Sequence, residues 1–278
     1  MTYFELKKYI EKAVLPVSAD SCDYEAEEIV CYAAGIGSAE LFMRYNDDVP
    51  QNVEEKCKEI LNERLTGNPL EYITGTTTFF GLDLKVTPDV LIPRADTERV
   101  CEKALALLRQ GGRFADICCG SGNIAAALLS RSDTRADLFD ISQKAAAVAK
   151  ENIKNLGFEG RAEVFVRDVF SDDIFSGREK YDLIISNPPY IRTDVINTLS
   201  SEVKHEPHIA LDGGDDGLVF YRRLLDICPD ALNDGGYIVF EIGYDQKQDL
   251  ERLCAEHGFD CEVLYDYGGN PRCCVVKV

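Results

Sequence analysis

Positive charge is scarce in this sequence: 30 lysines and arginines stand against 49 aspartates and glutamates, a formal net charge of -19 over 278 residues. A protein that grips a phosphate backbone needs a field that attracts polyanions, and this one repels them on average, so a nucleic-acid substrate is disfavoured. Long apolar runs are missing too. The opening MTYFELKKYIEKAVLP mixes charge with apolar residues and lacks a signal-peptide core, and no later stretch approaches the ~18 apolar residues of a membrane span. A cytoplasmic protein without membrane association is expected. Metal signatures are the third absence. There are 11 cysteines, but the number is odd, and the adjacent pairs Cys118-Cys119 and Cys273-Cys274 lack the CxxC spacing that lets two thiolates share a tetrahedral metal. His205 and His208 flank Glu206-Pro207, where the proline rules out a helical HExxH arrangement. Reduced thiols, a solvated loop around the histidines and no bound metal are expected.

Hydrophobic residues make up 45% of the chain, enough for a full-sized core with a smaller appendage. Tyr3, Leu6, Ile10, Ala13 and Val14 recur at helical spacing, as do Val53, Cys57, Ile60, Leu61 and Leu65. Asp23 and Gly35 bracket another helix, and Ser38 is placed to cap one more. These predict an all-α N-terminal domain over residues 1–74, suited to holding a macromolecular substrate or simply to packing support. From Gly67 onward Pro69, Gly75 and Gly81 punctuate Tyr72-Ile73 and the alternating Leu82, Leu84 and Val86, which predicts a β-hairpin connector over 75–92. The third domain is expected over 93–278. There, a helix capped by Thr97 runs to Leu108, after which strands alternate with helices. Strands are predicted at 114–118, 136–141, 162–167, 181–186 and 237–242, with helices near 122–130, 143–155, 218–232 and 246–257. Such alternation calls for a mostly parallel sheet covered on both faces. Strands 260–265 and 273–278, joined across Gly268-Gly269-Asn270-Pro271, add an antiparallel hairpin at one side.

The first strand of this domain ends in Asp116-Ile117-Cys118-Cys119-Gly120-Ser121-Gly122, and glycines at such a turn let a ligand approach the backbone. Asp140 ends the next strand, 24 residues beyond Asp116, near the ~20-residue spacing at which an acid takes up ribose hydroxyls. A dinucleotide and S-adenosylmethionine both fit; the second needs an acid to face its ammonium group, and Asp116 suits it. Ser186-Asn187-Pro188-Pro189-Tyr190 follows the apolar strand 181–185. Two prolines fix φ and donate no N–H, which leaves the carbonyls of Asn187 and Pro188 in a stiff turn as acceptors. An NH2 group can donate to them and to the Asn187 side-chain oxygen while the Tyr190 ring stacks on the planar group. That arrangement turns a nitrogen lone pair toward an electrophilic methyl without a nucleophilic side chain or a metal.

Asn187 to Tyr190, with Asp116, Gly120, Gly122 and Asp140, resembles the amino-methyltransferases of the class I, Rossmann-like fold. Leu91 to Glu98, Glu206 to Leu211, Gly213-Gly214, Asp216-Gly217-Leu218, Glu241-Ile242-Gly243 and Gly67 to Gly75 narrow the likeness to the HemK/PrmC family, which methylates the glutamine of the GGQ motif in peptide chain release factors. The resemblance implies a mixed seven-stranded sheet and S-adenosylmethionine as cofactor. It puts the methionine end against Asp116, Cys118, Cys119, Gly120, Ser121 and Gly122, the ribose on Asp140, and the adenine near Asp168, Val169 and Phe170. Asn187, Pro188, Pro189 and Tyr190 would hold the glutamine amide, with Asn187 also at the cofactor. Release factors are the implied partners. The sequence departs from the family at Cys118 and Cys119, where the turn has its first glycine and next small residue, and at Asp96, where a glutamate is usual. A β-carbon at Cys118 calls for a negative φ, and an altered cofactor affinity is expected. Spacing assigns no role to Arg94, Thr97, Glu98 or Glu241, for which buried ion pairing is the structural alternative. An adenine N6-methyltransferase acting on DNA or RNA is the competing enzyme reading, and a cofactor-binding regulator without activity is a third.

Overall fold

A capping box starts the first helix: the Thr2 hydroxyl accepts from the Glu5 N–H at 3.3 Å and the Glu5 carboxylate accepts from the Thr2 N–H at 2.9 Å, satisfying two donors that a helix end leaves unpaired. In a computed structural model describing all 278 residues, helices α1 (Tyr3–Val14), α2 (Cys22–Ala34), α3 (Ser38–Met43), α4 (Gln51–Arg64) and α5 (Leu70–Thr74) form one unit, residues 1–75 together with 200–205. Leu6, Ile10, Ile29, Val30, Leu41 and Leu61 make its core. Arg64 is buried beside them, donating to Glu25 at 2.8 and 3.0 Å and pairing with Glu202, which fastens residues 200–205 to this unit. Two local expectations are corrected. Ser38 is the first helical residue and makes no cap; Gly37 is the N-cap. Tyr72-Ile73 is helical, because Pro69 starts a five-residue helix and Gly75, at φ +76, ends it; that is too short to register as a period.

The second unit, residues 76–199 and 206–278, opens with a hairpin of β1 (Thr76–Phe79) and β2 (Leu82–Lys85). Its turn residues Phe80 and Gly81 have φ of +54 and +75, the hand a two-residue hairpin needs. The Phe80 N–H donates to the Glu98 carboxylate at 2.7 Å, which gives Glu98 a structural role. Then come α6 (Ala95–Leu107), β3 (Arg113–Ile117), α7 (Asn123–Arg131), β4 (Arg135–Asp140), α8 (Gln143–Asn155), β5 (Ala162–Val166), β6 (Tyr181–Ser186), α9 (Thr193–Ile196), α10 (Val219–Ala231), β7 (Leu232–Glu241), α11 (Lys247–Glu256), β8 (Cys261–Tyr265) and β9 (Pro271–Lys277). Thr97 does not cap α6. Arg94 is the N-cap, and Thr97, buried inside the first turn, turns its hydroxyl to Glu241 instead.

The seven-stranded sheet has the order β5-β4-β3-β6-β7-β9-β8, parallel from β5 to β7 and antiparallel at β9 and β8. Alternate residues of β6 enter opposite cores: Leu183 and Ile185 pack with Phe114, Leu128 and Leu138, while Ile184 packs with Phe139, Tyr221 and Phe240. Burial of both faces accounts for the unbroken apolar runs of the central strands. Asp137, in β4, is one of the few polar residues buried in these strands. Its carboxylate accepts from Arg113 at 2.8 Å, from Arg178 at 2.9 and 2.7 Å, and from the Tyr181 hydroxyl at 2.7 Å.

Candidate active site

A cavity of about 280 Å³ opens where the strands end, close to the lower end of small-molecule sites. Its lining includes Cys118, Cys119, Gly120, Ser121, Asp140, Asp168, Val169, Phe170, Asn187 and Pro189. Asp116, Gly122, Pro188 and Tyr190 lie outside that wall.

Asp116 is fully buried under the turn, where one carboxylate oxygen accepts from the Ala125 N–H at 3.1 Å and the other has no partner. Burial pushes its carboxyl up to about 8. Gly122, at φ +75, packs so closely that a Cβ there would come within 3.2 Å of Ala149 and Leu138, holding α7 against α8 and β4. A Cβ on Gly120, at φ +53, would meet nothing within 4 Å, so the backbone there is open to a ligand.

Cys118 overturns the expectation of a negative φ: it sits at +60, in the left-handed region that costs a residue with a β-carbon roughly 1–2 kcal/mol. The turn is pinned on either side by the Cys119 N–H to Phe139 carbonyl bond at 3.0 Å and the Gly122 N–H to Cys119 carbonyl bond at 2.7 Å. Cys118→Gly is therefore expected to stabilise the fold by up to about 1 kcal/mol, the relief being partly offset by glycine's freedom in the unfolded chain. Urea denaturation measures it, and an unchanged or lowered midpoint would show that strain at this turn is absorbed elsewhere.

Asp140 faces the cavity with both oxygens already used once, accepting from the Gly120 N–H at 2.9 Å and the Ser142 N–H at 2.8 Å. Burial raises its carboxyl above the ordinary range while these two bonds pull it down. The helix cap here is Ser142, whose hydroxyl accepts from the Ala145 N–H at 3.2 Å. Ile141 and Phe170, 49% and 46% exposed, give the cavity wall apolar surface for a flat ring to cover.

The Asn187 carboxamide makes no hydrogen bond within the chain, and no loop N–H reaches the carbonyls of Asn187 or Pro188. Three acceptors thus remain unused beside the cavity. The loop around them is held tightly. Ser186 donates to the Ile117 carbonyl at 2.6 Å, and the Ile191 N–H bonds the Leu211 carbonyl at 3.0 Å while the Gly213 N–H bonds that of Ile191 at 2.8 Å. A Cβ on Gly213 would stand 2.7 Å from the Tyr190 Cα, and one on Gly217 2.5 Å from the Tyr190 carbonyl oxygen, so only glycine admits this approach. Gln246 completes the clasp, its amide donating at 3.1 Å to the carbonyls of both Tyr190 and Gly217.

Tyr190 packs into the core and points its hydroxyl at Glu241, 3.4 Å away. The other Glu241 oxygen accepts from Thr97 at 2.6 Å, and burial pushes this carboxyl up to about 7. Arg94 pairs with the buried Glu206, so the His205 to His208 stretch is not a wholly solvated loop; two short 3-10 turns carry it. Thr97 and Glu241 are thus joined by a buried hydrogen bond rather than an ion pair, and Arg94, itself partly exposed, forms an ion pair with the buried Glu206. Arg94, Thr97, Asn123, Phe139, Arg167, Pro207 and Phe220 also line the cavity. Of these, Arg94, Thr97 and Pro207 lay in segments that the sequence marked. Phe139 lies in β4, and Asn123, Arg167 and Phe220 come from helices and a loop whose approach depends on packing.

A family model for the methyltransferase small domain matches residues 99–240, and one for the PrmC N-terminal domain matches residues 12–75. The release factor glutamine methyltransferase of Clostridium botulinum is 40% identical over 239 residues, 84% of each chain. That of Moorella thermoacetica is 36% identical over 276 residues, 96% of each chain. Among solved structures, a methyltransferase from Pyrococcus furiosus superposes with a TM-score of 0.56 at 18% identity, covering 78% of this chain and 96% of the other. No helix is long and apolar enough to cross a membrane.

Proposed function

The chain belongs to the release factor glutamine methyltransferases, and on that premise we propose that it moves a methyl group from S-adenosylmethionine to the side-chain amide nitrogen of the GGQ glutamine in a peptide chain release factor. The observation that carries this reading is that Asn187, with its carboxamide unused, lines the same cavity as the Cys118 to Ser121 turn and Asp140. The open backbone at Gly120, the Asp140 carboxylate and the apolar wall at Ile141 and Phe170 suit the methionine end, the ribose and the adenine of that cofactor. When bound, it supplies an electrophilic methyl. The chain's own part is positional. The Asn187 side-chain oxygen and the Asn187 and Pro188 carbonyls offer acceptors to the two N–H bonds of the glutamine amide, which fixes the nitrogen and draws electron density toward it. Gln246, Gly213 and Gly217 keep those acceptors from shifting, and Glu241 with Thr97 anchors Tyr190 at the end of the loop.

Asp140→Ala should weaken cofactor binding at least tenfold, corresponding to a lost charge-assisted acceptor of ~1.5–3 kcal/mol. The Gly120 and Ser142 N–H groups lose their acceptor at the same time, which acts in the same direction. Calorimetric titration of the folded variant measures it, and an unchanged dissociation constant would remove Asp140 from the ribose.

The reaction itself is tested by incubating enzyme and cofactor with a folded release factor, and in parallel with duplex DNA and RNA, and locating the added methyl by mass spectrometry. A methyl on the GGQ glutamine is expected, with poor incorporation into nucleic acid even at low salt, where a basic track would bind most strongly. Adenine methylation with none on the release factor would replace this reading by the adenine N6-methyltransferase, and no transfer at all by a cofactor-binding regulator.

A further inference from the structure

We propose that Cys254, Cys261 and Cys274 form a binding site for a thiophilic divalent metal ion, zinc, at the far edge of the sheet. The three sulfur atoms all lie within 4.8 Å of one another. They come from three elements, α11, the first residue of β8, and β9. Tetrahedral zinc, with Zn–S bonds of about 2.3 Å, wants sulfurs about 3.8 Å apart, so the thiols need close in by no more than about 1 Å, which lies within reach of a side-chain rotation.

Surroundings and chemistry agree with the geometry. Cys254 and Cys274 are fully buried among Leu250, Leu253 and Val276, whereas Cys261 is half-buried. Two ligands are therefore shielded, and the third leaves a side open for a water as fourth ligand. On binding, all three S–H bonds are replaced by Zn–S bonds, and the three protons leave to solvent. Three thiolates around zinc leave one net negative charge, against two around a cuprous ion, and a buried site favours the smaller residue. Glu251 and Asp260, which bear on Cys261 electrostatically, favour a cation as well. The spacings Cys254 to Cys261 and Cys261 to Cys274 carry no metal motif because the ligands meet only when the last strands fold back beside α11. This site is apart from the cavity, and none of its cysteines lines it.

The test uses the full chain, reduced and stripped with a chelator, and titrated anaerobically with cobalt(II). A sulfur-to-cobalt charge-transfer absorption with the visible bands of a tetrahedral ion is expected to saturate at one equivalent and to vanish on adding zinc. Cys261→Ser should weaken cobalt binding at least about tenfold. Cys254→Ala, which introduces no buried hydroxyl, should do the same, while Cys22→Ser in the helical unit should leave the titration unchanged. Zinc should also raise the melting temperature of the parent but not of Cys261→Ser. Absence of the charge-transfer band in the reduced parent, or its full retention in the Cys261 and Cys254 variants, would overturn the proposal.

Discussion

Asn187→Ala is expected to lower turnover by about 10²–10³-fold, the usual cost of deleting one preorganised polar group at a reacting centre, while the dissociation constant of the cofactor shifts by less than about threefold, or about 0.65 kcal/mol. The carboxamide has no partner in the chain, so its loss leaves no donor stranded and the loop keeps its supports at Ile191, Gly213 and Gln246. What disappears is the acceptor that fixes the amide NH2 of the substrate. The backbone carbonyls of residue 187 and of Pro188 survive and retain part of the orientation, which sets the loss below that of removing the whole loop. Single-turnover transfer to a saturating release factor, with calorimetric titration of the cofactor, separates the two quantities. A parental rate would make the loop a structural element and would falsify the role given to Asn187.

Asp137→Ala should cost the fold about 3–5 kcal/mol, the range for removing one member of a buried ionic cluster. This carboxylate, 3% exposed, accepts four hydrogen bonds from Arg113, Arg178 and the fully buried Tyr181. Its removal leaves the Tyr181 phenol without an acceptor and the two guanidinium groups with only the exposed Glu179 and Glu163 as partners. Both arginines keep some contact with water, with side-chain exposures of 23% and 20%, which points to the lower end of the range. The check is the shift of the urea midpoint at unchanged slope. Arg178→Met in the same background should recover part of the loss, because one stranded charge goes with it. A shift below about 1 kcal/mol, the worth of an exposed pair, would mean that water reaches the cluster.

The strand and helix alternation was legible because its signals are local: Leu183 to Ile185 is an apolar run, and Gly35 ends α2 in the left-handed conformation that the residue invites. Thr97 misled for a matching reason. A threonine near a helix start looks like a cap, but β7 brings Glu241 within 2.6 Å of its hydroxyl, and this tertiary bond leaves the capping position to Arg94. Within the site, the strand-end turn, Asp140 and Asn187 could be read from residue type and position. Gln246 could not, since its two carbonyl partners, Tyr190 and Gly217, come from segments far away in the chain. Cys118 shows the limit of a steric rule, which names the conformation a side chain disfavours but does not tell whether its neighbours will impose it. The tri-cysteine cluster is not legible along the chain, because Cys254, Cys261 and Cys274 come together only in space.

β9 lies between β7 and β8 although it follows both in the chain. During synthesis, β7 therefore presents an unpaired edge and β8 has no sheet to join until Pro271–Lys277 has left the ribosome, a delay on the order of seconds at the usual elongation rate. Such an edge invites pairing with other chains, which makes this interval the time of greatest aggregation risk and the natural moment for chaperone attention. It also sets the order in which competence is gained. Glu241, the anchor of Tyr190, is opposite Cys273 in the β7–β9 register, so the nascent protein can form its strand-end turn early but can brace its acceptor loop only after its last strand has arrived.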